Sequence, residues 1–143
     1  MSVPTKQRVA LISLLWMIGG IFESVGSTVQ IAIAINSATI LITSFGLMVV
    51  CCAESAKLME VYSGFYTFIV IVHIIYAIYF FIAASSNYIL DYFMRIAIYQ
   101  LIGAFIGVYF AKLIAGYAKS LKLNQDSVQT PRKVEDPNMT NNQ

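Results

Sequence analysis

The run FYTFIVIVHIIYAIYFFIAA, residues 65–84, sets the strongest limit on this chain: twenty residues carry no charge, and His73 is their one strongly polar ring. At about 1.5 Å per helical residue they cover about 30 Å, the thickness of a bilayer's hydrocarbon core. Apolar side chains occur all round the helix, with no polar face at a 3.6-residue period, so every side must be covered by protein or lipid. Only 11% of the 143 residues are charged, against roughly 25% in an ordinary soluble domain.

The same reasoning finds further spans. Residues 29–52 are uncharged, although Gln30, Asn36, Ser37, Thr43 and Ser44 soften the run. Residues 96–118 are interrupted only by Lys112, whose long stem lets its ammonium extend toward the headgroups. Residues 9–22 give 14 apolar positions before Glu23. They read as a first helix because residues 9–52 suffice for two spans joined at Gly26-Ser27-Thr28, which supplies turn chemistry. A re-entrant piece and a cleaved signal are the alternatives, the signal because Lys6 and Arg8 precede the apolar stretch and Ser24 with Gly26 loosely imitate a small-x-small site. The expectation is an all-α, four-helix transmembrane bundle with spans at about 7–27, 29–52, 64–84 and 93–118, then a disordered cytosolic tail at 119–143.

Lys and Arg are distributed unevenly. Lys6, Arg8, Lys57, Lys112, Lys119, Lys122, Arg132 and Lys133 fall on one side, and Arg95 alone on the other. The positive-inside rule therefore places both termini in the cytosol. Asp91 precedes Arg95 by one turn and offsets that outer charge. Tyr88, Tyr92, Phe93 and Tyr99 read as an outer aromatic belt, with Tyr62 and Tyr117 in the same role inside. Asn138-Met139-Thr140 matches a glycosylation sequon that this topology keeps from the glycosylation machinery.

Net charge is only +2 and the basic residues form no stripe, so no nucleic-acid partner is expected. Cys51 and Cys52 are adjacent, which suits neither a loop-closing disulfide nor a metal site. At the cytosolic interface they are candidates for S-acylation. Ser127 and Thr130 are candidate phosphorylation sites in the tail. No metal and no cofactor is expected.

Three sets of residues stand out within the spans. Gly103, Gly107, Ala111 and Ala115 recur every four residues, a small-residue groove that lets another helix approach closely, and Gln100 sits one turn before it to hydrogen-bond across the contact. On the second span Gln30, Ala34, Ser37 and Ser44 share a face, with Asn36 and Thr43 beside it, and this face is expected to look inward. Glu23, His73 and Asn36 form a candidate intramembrane polar site, since an ionisable group in hydrocarbon must be paired, hydrated or neutralised. Gly19, Gly20 and Gln30 are the expected surroundings of Glu23, and Tyr66, Tyr76 or Asn36 the expected partners of the imidazole.

Four spans, short outer loops and cytosolic tails resemble the layout of MARVEL-type and other small four-span trafficking proteins, in topology alone. Tetraspanins are a poorer likeness, because Cys51-Cys52 is followed by Ala53 rather than glycine and falls on the inner side. Claudins carry their Trp in an outer loop, whereas Trp16 lies within a span. The leading expectation is a non-enzymatic organiser, accessory subunit or trafficking protein acting through helix faces on other membrane proteins or a second copy. The alternative is a small oligomeric transporter or channel using Glu23, His73 and Lys112.

Overall fold

The computed structural model describes residues 6–26, 30–86 and 90–129, of which 98% are helical and none is in a strand. Four helices follow one another: α1 (Lys6–Gly26), α2 (Gln30–Met48), α3 (Ala56–Ser86) and α4 (Leu90–Gln129). All four are long and apolar enough to cross a membrane. Hydrogen bonds from Lys6 to Glu54 and from Lys122 to Glu60 bring the start of α1, the end of α2, the start of α3 and the late part of α4 to one end of the bundle. Consecutive helices therefore run antiparallel, and this end collects Lys6, Glu54, Lys57, Glu60, Lys119 and Lys122.

The helix limits depart from the apolar runs in two places. α3 begins at Ala56 rather than near residue 64, and α4 reaches Gln129, so Lys119–Gln129 is helix and not disordered tail. In both places hydropathy ends before helicity does, because Lys, Leu, Met, Glu and Gln are good helix formers whether or not lipid surrounds them. Residues 130–143, with Thr130 and the sequon, lie outside the described residues, as do the side chains of Tyr88, Asp91, Tyr92 and Phe93 and the turn residues Ser27 and Thr28.

The chain turns sharply between α2 and α3. α2 widens into a π-helical segment, Val49–Ala53, that keeps Val49 and Val50 buried and leaves Cys51 and Cys52 exposed. Glu54 stops it in the left-handed region at φ 42, a conformation that costs a non-glycine residue about 1–2 kcal/mol. Two contacts hold it there: Lys6 binds its carboxylate, and Gln125 Nε2 donates to its carbonyl at 3.4 Å. The Lys6 hydrogen bond and charge hold the Glu54 carboxyl below its ordinary pKa. Ser55 then opens α3, its carbonyl accepting from Met59 N at 3.0 Å and its hydroxyl from Leu58 N at 3.5 Å.

The inward stripe of α2 is Ala32, Asn36, Thr39, Thr43 and Gly46, at alternating spacings of four and three. The face expected to look inward is displaced: Gln30, Ala34, Ser37 and Ser44 are exposed, and only its flanking Asn36 and Thr43 are buried. Small polar side chains occur on both faces of α2, so polarity alone could not orient it. Gly46 shows what decided the matter. A Cβ there would stand 2.0 Å from Tyr62 Cζ, so the ring of α3 lies directly on the glycine. Across that gap Tyr62 donates its hydroxyl proton to Ser13 Oγ of α1 at 2.7 Å, because the Ser13 proton goes to Val9 O at 3.0 Å. Tyr62 and Tyr117 are accordingly buried core residues rather than interfacial ones.

Apolar packing falls into two clusters. One, toward the charged end, contains Val9, Val50, Met59, Tyr62, Tyr66, Val70 and Ile114. The other, toward the opposite end, contains Ala32, Tyr76, Phe80 and Ala97. Between them along α2, α3 and α4 fall Thr39, His73 and Gln100, all buried.

Candidate functional site

These three polar residues meet, and α1 adds a fourth. Thr39 Oγ1 lies 3.1 Å from His73 Nε2, His73 Nδ1 lies 2.9 Å from Gln100 Oε1, and Gln100 Nε2 lies 3.2 Å from Glu23 Oε2. One hydrogen-bonded chain thus takes one side chain from each of the four helices.

Its polarity follows from what each group can do. An ionised carboxylate only accepts, so Gln100 turns its NH₂ toward Glu23 and its carbonyl toward His73. That carbonyl also only accepts, so His73 Nδ1 carries a proton. In the neutral ring Nε2 is then an acceptor, and the Thr39 hydroxyl donates to it. Thr39 Oγ1 has a second acceptor, Ile35 O at 2.9 Å, but only one proton to give. When Nε2 is also protonated, it donates to Thr39, and the Thr39 proton moves to Ile35 O. Both charge states of the ring are therefore satisfied without displacing a heavy atom. Gln100 has no proton it can readily pass on, so Glu23 and His73 are linked by hydrogen-bond orientation and charge, not by a proton wire.

A cavity of about 110 Å³ adjoins the chain, lined by Trp16, Gly20, Glu23, Asn36, His73 and Gly103 among others. Asn36 is 2% exposed, and among the described residues its side-chain amide has no hydrogen-bond partner. Glu23 stands on the rim and is exposed. Gly20 narrows the α1–α2 contact, since a Cβ there would lie 3.1 Å from Ile40 Cγ1. Trp16 packs edge-on to His73 with ring centroids 6.4 Å apart and also touches Tyr66 and Phe110. Among the described residues no three His, Cys, Asp or Glu side chains gather to hold a metal.

The sequence points to Glu23, His73 and Asn36 as a polar set; the structure links Glu23 and His73 through Gln100, places Asn36 on the cavity wall, and gives His73 partners other than those expected. Tyr66, Tyr76 and Asn36 were the expected partners, whereas Thr39 and Gln100 hold the ring. Gln100, read as part of a packing face, bridges the site instead. Thr39 and Trp16 were missed; the signal for Thr39 was its spacing of three and four from Asn36 and Thr43, and Trp16 gave none.

The small-residue stripe of α4 divides. Gly107 is buried against α3 and α1, where a Cβ would meet Val70 Cγ2 at 3.0 Å and Trp16 at 3.2 Å. Gly103 borders the cavity and a Cβ there would meet nothing within 4 Å. Ala111 is partly buried and Ala115 exposed. Lys112 is exposed and does not line the cavity. Cys51, Cys52 and Ser127 are exposed, Ser127 Oγ donating to Asn124 O at 2.8 Å.

Comparison with protein-family models, curated proteins and solved structures finds no match for this chain.

Proposed function

We propose that this chain is a non-enzymatic multi-pass membrane protein, with both termini in the cytosol, that admits a proton or small cation to the site formed by Glu23, Gln100, His73 and Thr39, as a small transporter or channel subunit. The observation that carries this reading is the hydrogen-bonded chain drawing one residue from each helix. In hydrocarbon an apolar bundle needs no such chain to pack, and ionisable side chains placed there mark ion or proton sites more often than they add stability. Large apolar side chains such as Phe22, Phe68, Ile75, Tyr99 and Phe105 are exposed on the outside of the bundle, a surface suited to lipid.

Flux into liposomes by the purified chain tests the proposal. A proton or monovalent-cation flux that Glu23→Gln and His73→Phe abolish is the expected result; no flux across a range of ions and pH would rule it out.

The organiser reading retains one specific support: Ala115, at the far end of the small-residue stripe, is exposed beside a surface groove with Glu60, Lys119 and Lys122. Gly107 no longer serves that reading, because its face is occupied within the bundle. Crosslinking of Ala115→Cys to a second protein or second copy would favour it.

A further inference from the structure

We propose that the cavity beside Glu23 is a binding site for a compact monovalent cation of the ammonium class, ammonium itself or methylammonium, with the nitrogen between Glu23 and Asn36. The inference rests on the intramembrane-site reading and names its ligand.

Four observations define the ligand. The first is charge: Glu23 is the one carboxylate lining the cavity, and Gln100 is the neutral donor to one of its oxygens. A single positive charge balances it. A divalent ion would meet only Glu23 and His73 as strong ligands, and both His73 nitrogens are already engaged, by Thr39 and Gln100.

The second is size. At about 30 Å³ per water-sized group, a cavity of about 110 Å³ takes three or four such groups. That admits methylammonium with a water or two.

The third is the Asn36 amide. It is buried to 2% exposure, lines the cavity and has no protein partner among the described residues. An amide turned to a cavity with no protein partner is free to bond a polar group that enters there. Its carbonyl and the Glu23 carboxylate together offer acceptors to a ligand rich in N–H donors.

The fourth is the remainder of the wall. Leu15, Trp16, Gly19, Gly20 and Gly103 offer apolar and aromatic surface, and the two other oxygens on the wall, Thr39 Oγ1 and Gln100 Oε1, are already engaged with His73. An alkali cation exchanges its hydration shell for a ring of oxygens, which here would have to be drawn out of the His73 contacts. An ammonium needs only a few acceptors, is attracted to an indole face and can rest its methyl group on Leu15 and Trp16.

Trp16 is the only tryptophan in the chain and lines the cavity, so its fluorescence reports occupancy directly. The full chain in nanodiscs is titrated with methylammonium chloride at constant ionic strength, with sodium, potassium and N-methylglucamine chlorides in parallel. The expected result is a saturable change with methylammonium alone, weakened about tenfold or more in Glu23→Gln and in Asn36→Leu. Asn36→Asp, which adds a carboxylate, is expected to tighten binding, and a helical, monodisperse Gly103→Leu to block it by filling the cavity. A response of equal size to all four salts, or binding unchanged in folded Asn36→Leu and Gly103→Leu, overturns the proposal. Flux of protons or alkali ions with no methylammonium binding would overturn this ligand while leaving the transport reading in place; methylammonium binding without any flux would do the reverse.

Discussion

Thr39 and His73 share one hydrogen bond whose direction depends on the charge of the ring: the hydroxyl donates to a neutral Nε2 and accepts from a protonated one, across the same 3.1 Å. The alternative acceptor at Ile35 O makes the reversal free of rearrangement. Thr39→Val preserves the shape and removes both roles. It leaves Nε2 unsatisfied in the neutral state and is expected to lower stability by about 1–3 kcal/mol, read by thermal unfolding in detergent. Thr39→Ser should restore most of the loss. A Thr39→Val protein as stable as wild type at all pH values would show that the contact contributes nothing.

Gly46→Ala places a methyl group inside the Tyr62 ring position, and the ring is fully buried and anchored to Ser13. Overpacking of this kind costs about 1–3 kcal/mol. The double variant Gly46→Ala, Tyr62→Leu should recover part of that loss, which a thermal-shift cycle over the four proteins would measure.

Gly103 and Gly107 separate two uses of one sequence pattern. Gly103→Ala meets open space and gains helix propensity, so it is expected to be neutral or stabilising by up to about 1 kcal/mol. Gly107→Ala presses on Val70 and Trp16 and is expected to destabilise by about 1–3 kcal/mol. Unfolding midpoints of the two purified variants decide the matter; equal midpoints would show that the α4 contact is looser than described.

Glu54 gives the fold an acid-sensitive contact. Lys6 holds its carboxyl below the ordinary value, so the folded state binds this proton less readily than the unfolded one. The contribution is fully present above the unfolded carboxyl's pKa and is lost as pH falls through the lower, folded value. Unfolding temperature should therefore decline through the acidic carboxylate range, and Glu54→Gln should flatten that limb. The difference is expected to shrink in high salt, because both partners are exposed.

Helix number and the broad position of the apolar helices were legible because a helix able to cross hydrocarbon needs a long uncharged run, and four such runs stand in the sequence. Helix ends were less so, since Lys57, Glu60 and Lys119–Gln129 sit where the apolar runs end but backbone hydrogen bonding does not. Glu23 and His73 were conspicuous as expensive residues, yet on sequence they stood on different helices at different depths. Gln100 closes that distance, a relationship that depends on how α1, α3 and α4 pack and has no signature along the chain. The rotation of α2 was misread for a related reason: the close fit of Tyr62 on Gly46 fixes it, and that fit joins two residues sixteen positions apart.

α4 runs unbroken for 40 residues, about 60 Å at helical rise, twice what a hydrocarbon core needs. A rod of that length is a lever. Gln100 lies about a quarter of the way along it, and Lys122 and Gln125 lie toward the far end, touching Glu60 and the Glu54 carbonyl. A tilt of only about 10° about the middle of the helix would sweep its far end by about 5 Å over its remaining 30 Å or so, enough to break both contacts. The polar site and the contacts to Glu60 and Glu54 are thus borne on one continuous helix.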